Sequence, residues 1–140
     1  MRRFRFNELS FEAPSDWMDL SIVTLTGTDS ARFQPNLVIT REDAPAGTLK
    51  DYAKRQLPEI KKQVKIHKLI SEREEQIAGR DGYVLEHQMT TPERQVVRLL
   101  QYFVRSGDEV VVMSLTCAEP ELALRAPVLS KIAESLRIEA

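Results

Sequence analysis

The chain has 140 residues, a length typical of one domain with one continuous core, so we expect a single domain over residues 1–140. Hydrophobic residues make up 42% and charged residues 29% of the chain, which argues against a disordered or membrane-spanning protein. The formal net charge of −1 provides no basic face of the kind that nucleic acid requires.

The start of the chain and its cysteine usage indicate where the protein works. The segment "MRRFRFNELSFEAP" has arginines but lacks the apolar run of a signal peptide after them. Cys117 is the one cysteine, so no disulfide can form within the chain, and a reducing compartment fits best. We therefore expect a cytoplasmic protein that is not itself embedded in a membrane.

The first third of the chain has the pattern of short strands. Alternating apolar residues at Phe4 and Phe6, then at Leu9 and Phe11, predict a hairpin. Further strands are predicted over 20–26, before "GTDS", and over 36–42, before the loop "DAPAG". Trp17, which lies between the hairpin and the next strand, is expected in the core.

A helix is predicted to begin at Thr48, because Thr48 and Asp51 form a start similar to a capping box. Gln56 falls within the apolar stripe of this helix, which is an unusual place for a carboxamide. Pro58 cannot donate to the carbonyl of Lys54, so the helix is expected to kink there, or to end and resume.

The rest of the chain is predicted to be a β-meander followed by helices. Strands are expected over 64–76, 83–90, 95–105 and 109–117, and the short turns between them imply antiparallel pairing. A short helical piece is expected to end at Pro127, and a last helix over 128–137 is expected to bury Val128, Leu129, Ile132 and Leu136. The fold class is α+β: one antiparallel sheet, a meander plus an N-terminal hairpin, packed with helices.

No pattern of catalytic or metal-binding residues emerges. With a hairpin centred on residues 79 and 80, His67 and His87 would not meet, so neither histidine has a second metal ligand. Cys117 is expected to be a buried structural thiol, and Ser114 lacks the context of a nucleophile. We expect no enzyme activity, no cofactor and no metal.

The strand "RQVVRLLQYFV" is apolar on both faces, and one of its faces carries Val97, Leu99, Gln101 and Phe103. A half-exposed antiparallel sheet should alternate cleanly, so both faces need cover. The two predicted helices can cover one face, and a partner, a second copy or a ligand would cover the other. A sheet covered on both faces within one chain fits the pattern equally well.

Four segments resemble one family: "FEAPSDWMDLSIVTL", "NLVITRE", "YAKRQL" and "LLQYFV". The most specific pattern is P-x-x-W-x-D-x-S, formed by Pro14, Trp17, Asp19 and Ser21. In these segments, and in its length, the chain resembles the Eag chaperones of bacterial type VI secretion, which belong to the wider DcrB-like group with a Mog1/PsbP-like fold.

This resemblance implies a homodimer that holds the N-terminal transmembrane helices of a secreted effector of the Rhs or PAAR-containing type. The chaperone would shield those helices from water until export. Carried over residue by residue, the resemblance implies these client-binding residues: Ile22, Thr24, Val38, Gln56, Ile60, Val64, Val97, Leu99, Gln101, Phe103 and Val112. Thr24 departs from the isoleucine expected there, and Pro58 departs from an uninterrupted helix.

A second hypothesis is a binding module on the same fold that docks a soluble protein. Such a module would use a basic run along the predicted helix and the strand after it: Lys54, Arg55, Lys61, Lys62, Lys65 and Lys68. Its binding would be sensitive to salt, because exposed charges are screened over about 10 Å at 0.1 M ionic strength. A solvated helix face explains the same lysines without any partner.

Overall fold

The computed structural model describes residues 1–28, 33–43 and 46–139, so the predicted loops "GTDS" and "DAPAG" lie partly outside the described residues. Its elements follow in chain order: β1 (Arg2–Phe6), β2 (Leu9–Ala13), β3 (Val23–Thr26), β4 (Asn36–Asp43), α1 (Leu49–Arg55), α2 (Leu57–Gln63), β5 (Ile66–Ile77), β6 (Arg80–Thr90), β7 (Val96–Ser106), β8 (Glu109–Ala118), a 3-10 turn (Glu119–Glu121) and α3 (Leu122–Ser135).

The strands form two antiparallel sheets. β1 and β2 pair as a hairpin whose turn residue Asn7 has a φ of 52°, a conformation that asparagine tolerates better than most residues. The other six strands form one sheet in the order β3-β4-β8-β7-β6-β5, in which β5 to β8 are a meander. The predicted α+β class, the hairpin and the meander are confirmed.

The helix predicted after Thr48 ends and resumes. The Thr48 hydroxyl accepts a hydrogen bond from the backbone N–H of Asp51, 3.1 Å away, and α1 then runs to Arg55. Gln56 lies at the junction, and Pro58 falls in the first turn of α2. A proline costs little there, because the first backbone N–H groups of a helix have no partner within it.

Each face of the six-stranded sheet has its own helix. We call the face that carries Gln101 the carboxamide face and the opposite one the thiol face, after Cys117. On the carboxamide face, Tyr52 and Ala53 of α1 pack on an apolar cluster that contains Phe103. On the thiol face, Leu129 of α3 packs on a cluster that contains Cys117. The expectation that both helical regions would cover one face is therefore wrong: the chain supplies helical cover to both.

The predicted helix break at Pro127 is also wrong, because α3 is continuous through this residue. The proline removes one backbone hydrogen bond, to the carbonyl of Ala123. Packing of Leu129 and Ile132 against the sheet offsets this loss and keeps the helix in one piece. Val128, which was expected to be buried, is 57% exposed.

The segment before the six-stranded sheet differs from prediction in two ways. β3 begins at Val23, later than the predicted start at Leu20. Trp17 is 62% exposed and does not belong to the core. The backbone carbonyl of Trp17 accepts a hydrogen bond from Arg2, 3.1 Å away, which ties this segment to β1.

The two helical prolines predict opposite effects of replacement by alanine. Pro127→Ala restores a backbone hydrogen bond in the interior of α3 and should raise the free energy of unfolding by about 1–2 kcal/mol. Pro58→Ala restores none, and it should lower that free energy by about 0.4–1 kcal/mol because it loosens the unfolded chain. Urea denaturation of both variants measures the two changes. Equal shifts in the same direction would contradict this account of Pro127.

Candidate binding face

A straight row of four side chains crosses the carboxamide face from the sheet edge to its centre. Thr24 on β3 pairs with Val38 on β4, Val38 pairs with Ser114 on β8, and Ser114 pairs with Gln101 on β7. Residues paired in this way lie side by side on one face, because side chains alternate along a strand. The register therefore places three predicted binding residues, Thr24, Val38 and Gln101, in a single row.

Four more predicted residues lie on the same face. Val112 and Phe103 pair with each other in the next row, and Val97 and Leu99 precede Gln101 at alternate positions of β7. These four side chains are buried within the chain, and Phe103 meets the ring of Tyr52 edge-on at 6.2 Å between centroids. These buried side chains are therefore not available to a ligand in this structure. Val38 and Gln101 are partly exposed, and Thr24 is exposed.

The predicted helix residues flank this face from the side of β5. α1 packs on β6 and β7, and α2 packs on β5. Gln56, Ile60 and Val64 are all partly buried along these helices. Ile22 lies at the other side of the sheet, next to β3, and is 60% exposed. The binding residues implied by the resemblance thus share one face and its two flanks.

Hydroxyl groups line the same part of the face, and of these the sequence analysis had named Thr24 alone as a binding residue. We call them the hydroxyl strip, which consists of Thr24, Thr40, Ser114 and Thr116. Thr40 is paired with Val112 and Thr116 with Leu99, so both lie on the carboxamide face. All four are partly or fully exposed. The period of two along β4 and β8 was the signal that could have found them.

A hydrogen-bonded chain of side chains reaches Gln101 across three strands. His67 on β5 lies 2.8 Å from His87 on β6, measured between Nε2 and Nδ1. His87 lies 2.7 Å from Gln101 on β7, measured between Nε2 and Oε1. His87 is fully buried, and this burial lowers its pKa to about 4. Burial also lowers the pKa of His67.

The sequence-based expectation that His67 and His87 do not meet is wrong. The hairpin turns earlier than expected, with Ile77 paired to Arg80, and the register shifts by one residue between Leu69 and Ser71. This bulge brings His67 opposite Met89 and therefore diagonal to His87 on the same face. Residue spacing alone cannot reveal a bulge, so the contact was not predictable.

The hydroxyl strip and Gln101 form a polar surface without charge. The nearest arginine of β7, Arg98, belongs to the thiol face, where it pairs with Glu86 and with Glu119, the latter at 2.6 Å. Arg98 donates hydrogen bonds to the Glu119 carboxylate, which raises the pKa of Arg98 and lowers the pKa of Glu119. The hydroxyl strip and Gln101 therefore stay uncharged. Charged residues of the carboxamide face lie elsewhere on it and contact α1 or the residues just before it, such as Glu42, Glu72 and Arg105.

The segment that leads into β3, together with β3 itself, exposes many apolar side chains. Leu20 is 75% exposed and Leu25 is 62% exposed. The other exposed apolar residues in this segment are Trp17, Met18, Ile22 and Val23. Val23 and Leu25 pair with Ile39 and Leu37 and so belong to the thiol face, whereas the residues before them lie beside the carboxamide face. A cluster of exposed apolar residues is typical of an interaction site rather than of ordinary surface.

Two further properties concern the described part of the chain. No helix within residues 1–28, 33–43 and 46–139 is long and apolar enough to cross a bilayer. Those residues also contain no group of three histidine, cysteine, aspartate or glutamate side chains placed to hold a metal ion. Cys117 is buried, as expected, and burial raises the pKa of its thiol.

Comparison with known protein families identifies the chain as a member of the DcrB family. The DcrB family model matches residues 8–132, and the chain belongs to this family. The protein named Effector EagT6 from Pseudomonas aeruginosa is 28% identical over 142 residues, which cover 97% of this chain and 95% of the relative. The resemblance noted from the sequence is confirmed at this level.

Solved structures show the same fold. A Pseudomonas aeruginosa protein of unknown function, PA94, has a TM-score of 0.86 and 25% identity, with 100% of this chain and 98% of that one covered. The PsbP protein of Synechocystis has a TM-score of 0.63 and 14% identity, over 99% of this chain and 92% of that one. The predicted PsbP-like fold is confirmed.

The buried His87 predicts a loss of stability in acid. The unfolded chain binds a proton at an ordinary histidine pKa near 6.5, whereas the folded chain resists protonation down to a pKa of about 4. Stability should therefore fall as the pH drops through this window, by about 3 kcal/mol in total. Urea denaturation between pH 4 and pH 7 measures the change, with His87→Gln as the comparison. The difference in free energy of unfolding between the natural protein and His87→Gln should narrow as the pH falls. A difference that stays constant would show that His87 does not have a lowered pKa.

Proposed function

We propose that this protein is a cytoplasmic, non-enzymatic chaperone that binds the N-terminal transmembrane helices of a type VI secretion effector, of the Rhs or PAAR-containing type, before export. Membership of the DcrB family and the similarity to Effector EagT6 support the association with an effector. The observation that carries the proposal is the uncharged part of the carboxamide face, the hydroxyl strip with Gln101, which lies beside the exposed apolar residues at positions 17–22.

The chemistry of that face suits an apolar helix. A transmembrane helix of about 20 apolar residues aggregates in water unless apolar surface covers it. Burial of such surface contributes about 25 cal/mol per Å². Ile22, Leu20 and Met18 supply exposed apolar area for this purpose. A charged face would instead lose hydration on contact with the helix, at a cost that no partner charge there would offset.

The hydroxyl strip supplies the polar part of the contact. Helices within membranes associate through small residues and through hydrogen bonds between helices. Ser114, Thr116 and Gln101 present short polar groups at the centre of the face, where they imitate such a neighbouring helix. Gln56 lies at the flank formed by α1 and α2 and adds a second carboxamide.

The proposal includes a homodimer. The β3 edge of the sheet is exposed along its whole length, and the apolar segment before it is exposed as well. A second copy that covers part of this surface would remove apolar area from water. Light scattering should then give a mass of twice 16.0 kDa for the purified chain, and a mass of one chain would contradict the dimer.

A charge placed beside β3 should abolish client binding. Ile22→Asp puts a carboxylate where the proposal places an apolar helix, so an effector N-terminal fragment produced together with this variant should move to the insoluble fraction. The matched control is Ile66→Asp, because Ile66 is 63% exposed against 60% for Ile22 and lies on β5, at the opposite edge of the sheet. The control should keep the fragment soluble.

Two outcomes of this experiment would overturn the proposal. In the first, the fragment stays soluble with Ile22→Asp, which shows that residues beside β3 do not contact it. In the second, solubility is lost on replacement of Lys61 and Lys62 by glutamate and depends on salt, which is the behaviour of a module that docks a soluble protein through its basic residues.

A further inference from the structure

The carboxamide of Gln101 is held by a side-chain hydrogen bond that starts from a fully buried residue. Its oxygen lies 2.7 Å from Nε2 of His87, and Nδ1 of His87 lies 2.8 Å from Nε2 of His67. His87 has 0% exposed area, so water cannot take the place of Gln101 or His67 as its hydrogen-bond partner. The orientation of Gln101 is therefore set from inside the protein rather than by solvent.

The roles of donor and acceptor along this chain follow from the Gln101 oxygen. A carboxamide oxygen only accepts, so Nε2 of His87 carries the proton and donates it. A neutral imidazole has one N–H, so Nδ1 of His87 is an acceptor, and Nε2 of His67 must donate to it. Nδ1 of His67 is then an unprotonated acceptor.

The burial of that last atom supports the same direction. Nδ1 of His67 is buried and has no hydrogen-bond partner. If the hydrogen bonds from His67 to Gln101 had the opposite donor and acceptor roles, Nδ1 of His67 would carry an N–H without an acceptor. Buried N–H groups without a partner are rarer than buried acceptors without one, so the reverse direction is disfavoured.

The nitrogen of Gln101 is left available to a ligand. Nε2 of Gln101 donates to none of the residues that the structure describes. This nitrogen is not a buried atom without a partner, as Nδ1 of His67 is, so it is accessible to solvent. Gln101 therefore offers its N–H groups to whatever lies on the hydroxyl strip, while its oxygen is already occupied.

We propose that His87, with His67 behind it, is a positioning residue that fixes Gln101 as a hydrogen-bond donor toward the bound segment. This inference rests on the proposed function and names the chemistry of its ligand. The bound helix must present an acceptor over Gln101, either a serine or threonine hydroxyl or a backbone carbonyl exposed by a small side chain.

Gln56 provides the contrast within the same chain. Its Nε2 lies 3.5 Å from the backbone carbonyl of Tyr52, a long contact within its own helix, and its oxygen has no partner among the described residues. No buried side chain holds this carboxamide in one orientation. Gln56 can adapt to a donor or an acceptor, whereas Gln101 cannot, and this difference makes Gln56 a suitable control.

The test is a double-mutant cycle on ligand binding. The probe is a synthetic helix of about 20 leucine and alanine residues with a central serine and lysines at both ends. His87→Leu should weaken its binding about tenfold, because Gln101 is released from its orientation. In a Gln101→Leu background, His87→Leu should have no further effect. His87→Gln keeps a donor and an acceptor and should bind within about twofold of the natural chain.

The outcomes separate this inference from the proposed function. If His87→Leu weakens binding equally with and without Gln101, His87 acts through packing and the inference is wrong, while the proposed function stands. If the natural protein does not bind the probe, the proposed function is wrong, and so is the inference that His87 positions Gln101 for a bound helix. The control cycle of His87→Leu with Gln56→Leu should be additive.

A measurement on the natural chain covers the case in which His87→Leu does not fold. Nitrogen-15 NMR distinguishes the two neutral histidine tautomers. Both His67 and His87 should carry their proton on Nε2 at pH 7. A proton on Nδ1 of His87 would reverse the whole chain of hydrogen bonds and overturn the inference.

Discussion

The fold depends on one constraint: the central strands of the six-stranded sheet are apolar on both faces, so neither face can be left to water. The chain meets this constraint with α1 on one side and α3 on the other, and the two resulting clusters hold its largest buried side chains. α1 rests on the carboxamide face near Phe103, whereas Ser114 and Thr116 on the same face remain partly exposed. The candidate binding face exists because α1 is short.

Much of this arrangement was predictable from local sequence patterns. Alternation of apolar residues located the hairpin, and the turn residues between apolar runs located the four strands of the meander, since both signals are local. The Thr48 cap and the break near Pro58 followed from backbone hydrogen bonding, which is also local. Seven of the implied binding residues fall on one face because they share the parity of their strands.

The features that were missed depend on contacts between distant parts of the chain. Pro127 should have ended a helix, but the packing of Leu129 on the sheet outweighs a local preference. Trp17 should have been buried by its size, yet no sequence rule states which apolar residues a fold leaves exposed. His67 and His87 meet because one strand contains an extra residue, which changes the alignment of everything before it.

That extra residue, Ile70, also makes the two edges of the sheet unlike. β5 is the longest strand, but its bulge and its charged side chains, such as Arg73 and Glu75, make it a poor template for another strand. β3 at the other edge is short, uncharged and exposed. A sheet with one blocked edge and one open edge can accept one additional strand and then stops. The same bulge that aligns the histidines therefore guards this protein against growth into an open-ended fibre.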